Sequence, residues 1–161
     1  MAERIDRINR AVGRTVMWLL LAIVLIQALV VLLRSVFAVG FVPLQESIWY
    51  LNGLVFMLGA AYVLGRDRHV RVDIFYRAAD DRVKALIDLG GCVLLLAPFC
   101  VLTFWLSLPY AATSWSVLER SREVAGLPGI FVLKTAIPVF SALLALQTTS
   151  VALKAWARLR Q

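Results

Sequence analysis

One histidine, two cysteines and one dense cluster of charge are the residues of this chain with the types and spacing to do chemistry. The cluster, Gly65-Arg66-Asp67-Arg68-His69-Val70-Arg71-Val72-Asp73, lies between two long apolar runs. Haem held within a bundle uses paired histidines on facing helices. His69 stands alone in a loop, where a solvated or capping role is expected. Cys92 and Cys100 are more than two helical turns apart in one apolar run, too far for a mutual disulfide, and read as small buried thiols. No zinc spacing, nucleophile elbow or phosphate loop occurs. The sequence thus points to no catalytic, cofactor or metal site. Gln27, Asn52 and Gln147, the polar groups in or near the apolar runs, read as interhelical hydrogen-bonding residues. A transporter working alone would carry intramembrane charges and broken helices at the midplane. Here Asp88 and Lys134 sit near the ends of runs, where their side chains reach the interface. Pro98 and Pro138 are kinks of a kind that membrane spans tolerate.

The elements that hold these residues are set by hydropathy. The 161 residues are 61% hydrophobic, with a mean hydropathy of +0.83. Four runs, Thr15–Leu33, Ile48–Leu64, Leu89–Leu108 and Phe131–Ala152, approach or exceed bilayer length, since a helix of about 20 residues covers the ~30 Å hydrocarbon core. None alternates polar and apolar as a barrel strand would. The expected fold is all-α and integral to the membrane: one domain over 1–161, with four transmembrane helices near 15–38, 46–65, 86–110 and 129–153. Val36-Phe37-Ala38 loosely fits a signal-cleavage site, but the run before it is too long and Arg34 intervenes, so a retained anchor is expected.

The net charge of +7 is distributed as a topology signal. Thirteen of the seventeen basic residues lie in the N-terminus (Arg4, Arg7, Arg10, Arg14), in the stretch from Arg66 to Lys84, and in the C-terminus (Lys154, Arg158, Arg160). The positive-inside rule puts all three in the cytoplasm and excludes a nucleic-acid-binding role for the charge. Within the middle stretch, Val72, Phe75, Ala79, Val83 and Leu86 recur at helical steps. The pairs Asp73–Arg77, Arg77–Asp81 and Asp80–Lys84 add i,i+4 support. An amphipathic helix over about 70–84, lying on the cytoplasmic face of the bilayer between the second and third spans, is expected. Small residues form two stripes, Ser141, Ala145, Thr148/Thr149 and Ala152 on the last span and Gly53, Gly59 and Ala60 on the second. They suit close packing, either inside this four-helix unit or against another membrane subunit.

From about residue 12 to 153 the chain resembles the small membrane subunit (DctQ type) of tripartite ATP-independent periplasmic, or TRAP, transporters. The resemblance rests on Glu46 ahead of the second span, Gly59-Ala60-Ala61-Tyr62, and the His69-Val70-Arg71-Val72-Asp73 loop. It continues through Ser114-Trp115, Glu119-x-Ser121, Gly126-Leu127-Pro128, Ile137-Pro138 and Leu146-Gln147. It implies a non-catalytic subunit of a multi-pass bacterial or archaeal inner-membrane transporter, with no cofactor. The chain would brace the scaffold of a large DctM-type membrane subunit, and a periplasmic DctP-type binding protein would deliver an organic anion for sodium-driven uptake. Candidate contacts with the large subunit are then Arg68, Arg71, Asp73, Phe75, Val83, Gly53, Ala60, Ser141 and Ala145. Candidate contacts with the binding protein are Glu119, Ser121 and Arg122. The alternatives are an independent small channel or transporter and the membrane anchor of an enzyme complex.

Overall fold

The computed structural model describes residues 2–66 and 80–160. Every regular element in them is helical: α1 (Ala2–Phe37), α2 (Val42–Gly65), α3 (Asp81–Gly91), a π-helical turn (Cys92–Leu96), α4 (Ala97–Ser116) and α5 (Ile130–Leu159). Among the described residues, four helices are long and apolar enough to cross a membrane, α3 through α4 forming one continuous rod from Asp81 to Ser116. The helices outrun the expected spans. At 1.5 Å per residue the 36 residues of α1 reach about 54 Å, so its basic first turns stand clear of the hydrocarbon. Residues 81–84, expected at the end of the interfacial helix, form the first turn of α3. Residues 70–79 of that expected helix, with Arg71, Asp73 and Phe75, and the preceding Arg68 lie outside the described residues.

Breaks in the helices have local causes. Pro98 cannot donate to the Leu94 carbonyl, and its ring would crowd that group. The chain widens just before it, with Ala97 N–H bonding back to Cys92 O, and Gly90-Gly91 on the near side offer little resistance. Helix α4 ends in a Schellman motif: Leu118 N–H donates to Trp115 O (3.1 Å) and Glu119 N–H to Ser114 O (3.0 Å). Leu118 takes the left-handed position that glycine usually fills, at φ 43°. Pro43 starts α2, where its missing N–H has no helical partner to lose.

Helix α5 is the hub. It packs on every other described helix, joining the α1–α2 hairpin to the α3–α4 rod. Its inner face is small and polar, with Ser141, Gln147 and Ser150 fully buried, and Leu144 packs with Leu64 and Cys100 in the apolar centre. The remaining helices keep broad apolar faces turned outward, among them Trp18 (71% exposed), Phe56 (80%) and Trp105 (74%). In water such faces would aggregate; in a membrane they meet lipid or a partner. Aromatic residues gather at both ends of the rods. Arg66 over Tyr62 and Arg160 over Trp156 mark the end bearing the termini, and Trp49, Tyr110 and Trp115 mark the other, as membrane interfaces favour.

Candidate functional site

Two polar clasps close the ends of the helix assembly. At the end away from the termini, residues 117–129 are bound down by two carboxylates. Glu46, on the second turn of α2, accepts hydrogen bonds from Leu127 N–H (2.6 Å) and from the Ser121 hydroxyl. Tyr50, one turn on, donates its hydroxyl to Leu127 O at 3.4 Å. Glu119 accepts from Ser114 Oγ (2.7 Å) and Lys134 Nζ (2.6 Å), and the same ammonium lies 4.1 Å from the centre of the Tyr110 ring. The hydrogen bonds from Lys134 and Ser114 hold the Glu119 carboxyl below the usual carboxylate range. Trp115 completes this end, donating its indole N–H to Thr135 Oγ1 (2.8 Å) and packing edge-on against Phe131. Gly126 is required here, since a Cβ would overlap Ser121 and stand 2.8 Å from Glu46 Oε1.

The opposite clasp joins the first turns of α1 to the last turns of α5. Asp6 accepts from Lys154 Nζ (2.5 Å), Ser150 Oγ (2.8 Å) and Gln147 Nε2 (3.0 Å). Asn9 donates to Gln147 Oε1 at 2.6 Å. Burial raises the pKa of Asp6, which precedes the first span, but the bonds from Lys154, Gln147 and Ser150 outweigh it and leave the group below its ordinary value. Two glycines let the helices close around this network. A Cβ on Gly65 would lie 2.7 Å from Gln147 Nε2, and one on Gly13 would overlap the Tyr62 ring.

The expected site residues separate by what they touch. Ser141 is fully buried and donates to Cys100 O (2.7 Å), so it serves packing within the chain. Gly53 admits Leu133, whose Cδ1 would stand 3.0 Å from a Cβ there. Ala145 packs beside the apolar centre and lines a groove of about 330 Å³ with Cys92, Ala97 and Thr148. Ala60 lines a groove between α1 and α2. Val83 is 44% exposed on α3. Glu119, through Oε2, bonds to Ser114 and Lys134, and Ser121 bonds to Glu46 through its hydroxyl, whereas Arg122 is exposed. Among the three polar residues of the spans, Gln147 forms the interhelical bonds expected of it, while Gln27 and Asn52 face outward.

Sequence reasoning missed Asp6 and Asn9 as partners of Gln147, and Ser150 and Lys154 as partners of Asp6; it quoted Glu46 without assigning it a contact. The available signal was a polar pair, Asp6 and Asn9, three residues apart on one helical face. Its counterpart lies about 140 residues away, which a single sequence does not pair.

Among the described residues no group of three or more histidine, cysteine or acidic side chains could hold a metal ion. Comparison with curated proteins and with solved structures returned no match. A family model described as "Tripartite ATP-independent periplasmic transporters, DctQ component" matches residues 23–158. With four membrane-length helices and most of its length within that match, the chain belongs to this family: it is a small, multi-pass inner-membrane component of a TRAP transporter.

Proposed function

We propose that this subunit moves no substrate itself and braces the scaffold of a large DctM-type subunit, within a sodium-driven transporter that takes up an organic anion from a DctP-type binding protein. Gln27 carries the reading. It sits at the centre of the first span and faces outward, amid Val24, Leu25, Val31 and Leu32, all largely exposed. An amide presented to hydrocarbon costs several kcal/mol at roughly midplane depth, whereas a partner helix supplies a hydrogen bond. The inward polar groups of α5 support the same reading, because their hydrogen bonds are satisfied within this chain, from Asn9 to Gln147, from Ser141 to Cys100 O and from Thr148 to Leu144 O.

In this reading the outer face of α1 meets the large subunit. The stretch with Arg68, Arg71, Asp73 and Phe75, followed by Val83 on α3, docks along the cytoplasmic interface. The stapled loop offers Arg122 to the binding protein, with Glu119 and Ser121 fixing its shape. Both termini lie in the cytoplasm, following the basic residues. Co-purification with the large subunit tests the proposal. Gln27→Leu should lower the yield of the pair about three- to tenfold, the range expected for one interhelical hydrogen bond in a membrane. An unchanged yield, with both subunits inserted, would place the partner elsewhere.

A further inference from the structure

We propose that the end bearing the termini holds one anionic glycerophospholipid of the phosphatidylglycerol class, its headgroup against Arg10 and Arg66 and an acyl chain between α1 and α2. A polar pocket of about 140 Å³ opens there, lined by Asp6, Asn9, Arg10, Tyr62, Arg66 and Gln147. Asn9 is 3% exposed, and its Oδ1 is buried with no hydrogen-bond donor. Such an acceptor is costly to leave unmade, so the site suits a ligand that brings a donor as well as negative charge. The charge follows from the lining. Two guanidiniums face one carboxylate, and that carboxylate is already bonded to Lys154, Gln147 and Ser150.

The apolar half of the site adjoins the polar half. Tyr62 lines both the pocket and a groove of about 390 Å³ that continues along Gly13, Val16, Phe56, Gly59 and Ala60. Gly13 follows Asn9 by one helical turn, so the groove begins where the headgroup pocket ends and runs toward the middle of the bilayer. Its polar lining is almost nil, and Gly59 leaves it open, the nearest atom to a Cβ there being Val16 Cγ1 at 3.8 Å. A phosphate fits the arginines, a headgroup hydroxyl can donate to Asn9 Oδ1, and hydrocarbon fits the groove. Free phosphate would leave the groove empty, and a choline headgroup carries neither net charge nor donor. The orientation proposed above bears only on which leaflet supplies the lipid.

Full-length protein stripped of lipid in maltoside detergent, then titrated and read by native mass spectrometry, tests the assignment. Phosphatidylglycerol should give one retained adduct, and phosphatidylcholine should bind at least about tenfold more weakly. Replacing both arginines, Arg10→Ala with Arg66→Ala, should weaken phosphatidylglycerol about thirtyfold, at roughly 1 kcal/mol per charge. Gly59→Leu, which fills the groove and leaves the charges in place, should abolish retention. Circular dichroism of each variant, and the single exposed change Arg66→Gln with a smaller loss, separate lost binding from lost folding. The proposal falls on any of four results: no adduct on the wild type, equal retention of the two lipids, glycerol 3-phosphate binding as tightly as the lipid, or retention untouched by Gly59→Leu. In the last case, a fall in partner co-purification would assign the groove to a protein helix.

Discussion

Glu46 and Glu119 hold a loop that would otherwise have little reason to keep its shape, since Val124 at its tip is fully exposed. Glu46→Ala leaves Leu127 N–H and the Ser121 hydroxyl without their acceptor and should cost about 1–3 kcal/mol, seen as a lowered thermal midpoint in detergent. Arg122→Ala should leave that midpoint unchanged. The Glu119 carboxyl, held low by Lys134 and Ser114, makes a pH prediction. A depressed folded-state pKa contributes stability that is full above the ordinary carboxylate value and lost as pH falls through the lowered one. The midpoint should therefore be flat through neutrality and drop below about pH 4, with a shallower drop in Glu119→Gln. The letters of this clasp were legible in the sequence, as Glu46, Ser114-Trp115, Glu119-x-Ser121 and Gly126-Leu127-Pro128. Their joining was not, because 75 and 81 residues separate Glu46 from its two partners and no local periodicity links such positions. Nor does a loop sequence show that Glu119 bonds Lys134 and that Ser121 bonds Glu46.

The elements were easier to read where the solvent is hydrocarbon. All four spans appear as apolar runs, because a helix in lipid has to be apolar over the membrane's full thickness. Their ends were harder to place. Once α1 and the α3–α4 rod leave the hydrocarbon they continue as helices whose polar residues no longer differ from a loop in hydropathy. Pro98 was legible as a kink, whereas the π-helical turn before it depends on backbone geometry. The end of α4 sets a further test. Leu118, strained at a left-handed position and largely exposed, has little packing to lose, so Leu118→Gly should raise stability by about 1 kcal/mol. A lowered midpoint would mean that the Leu118 side chain contributes more than its exposure implies. On α3, Val83→Asp sets a charge among Leu86 and Ile87, which are also exposed. If this face meets lipid or the large subunit, the yield of the assembled complex should fall; an unchanged yield would put the face in water.

Across the whole molecule, one helix gathers the buried polar contacts and the others turn their apolar faces outward. Such a shape is suited to being packed against. Its two clasps tie α5 to α1 at one end and the 117–129 loop to α2 at the other, which holds the α1–α2 hairpin and the α3–α4 rod in fixed relation. The measurement that tests this most directly is sodium-driven uptake into proteoliposomes supplied with the binding protein. The bracing account predicts no uptake with this subunit alone and full uptake only when it is reconstituted with the large subunit. Uptake by this subunit without the large one would contradict it.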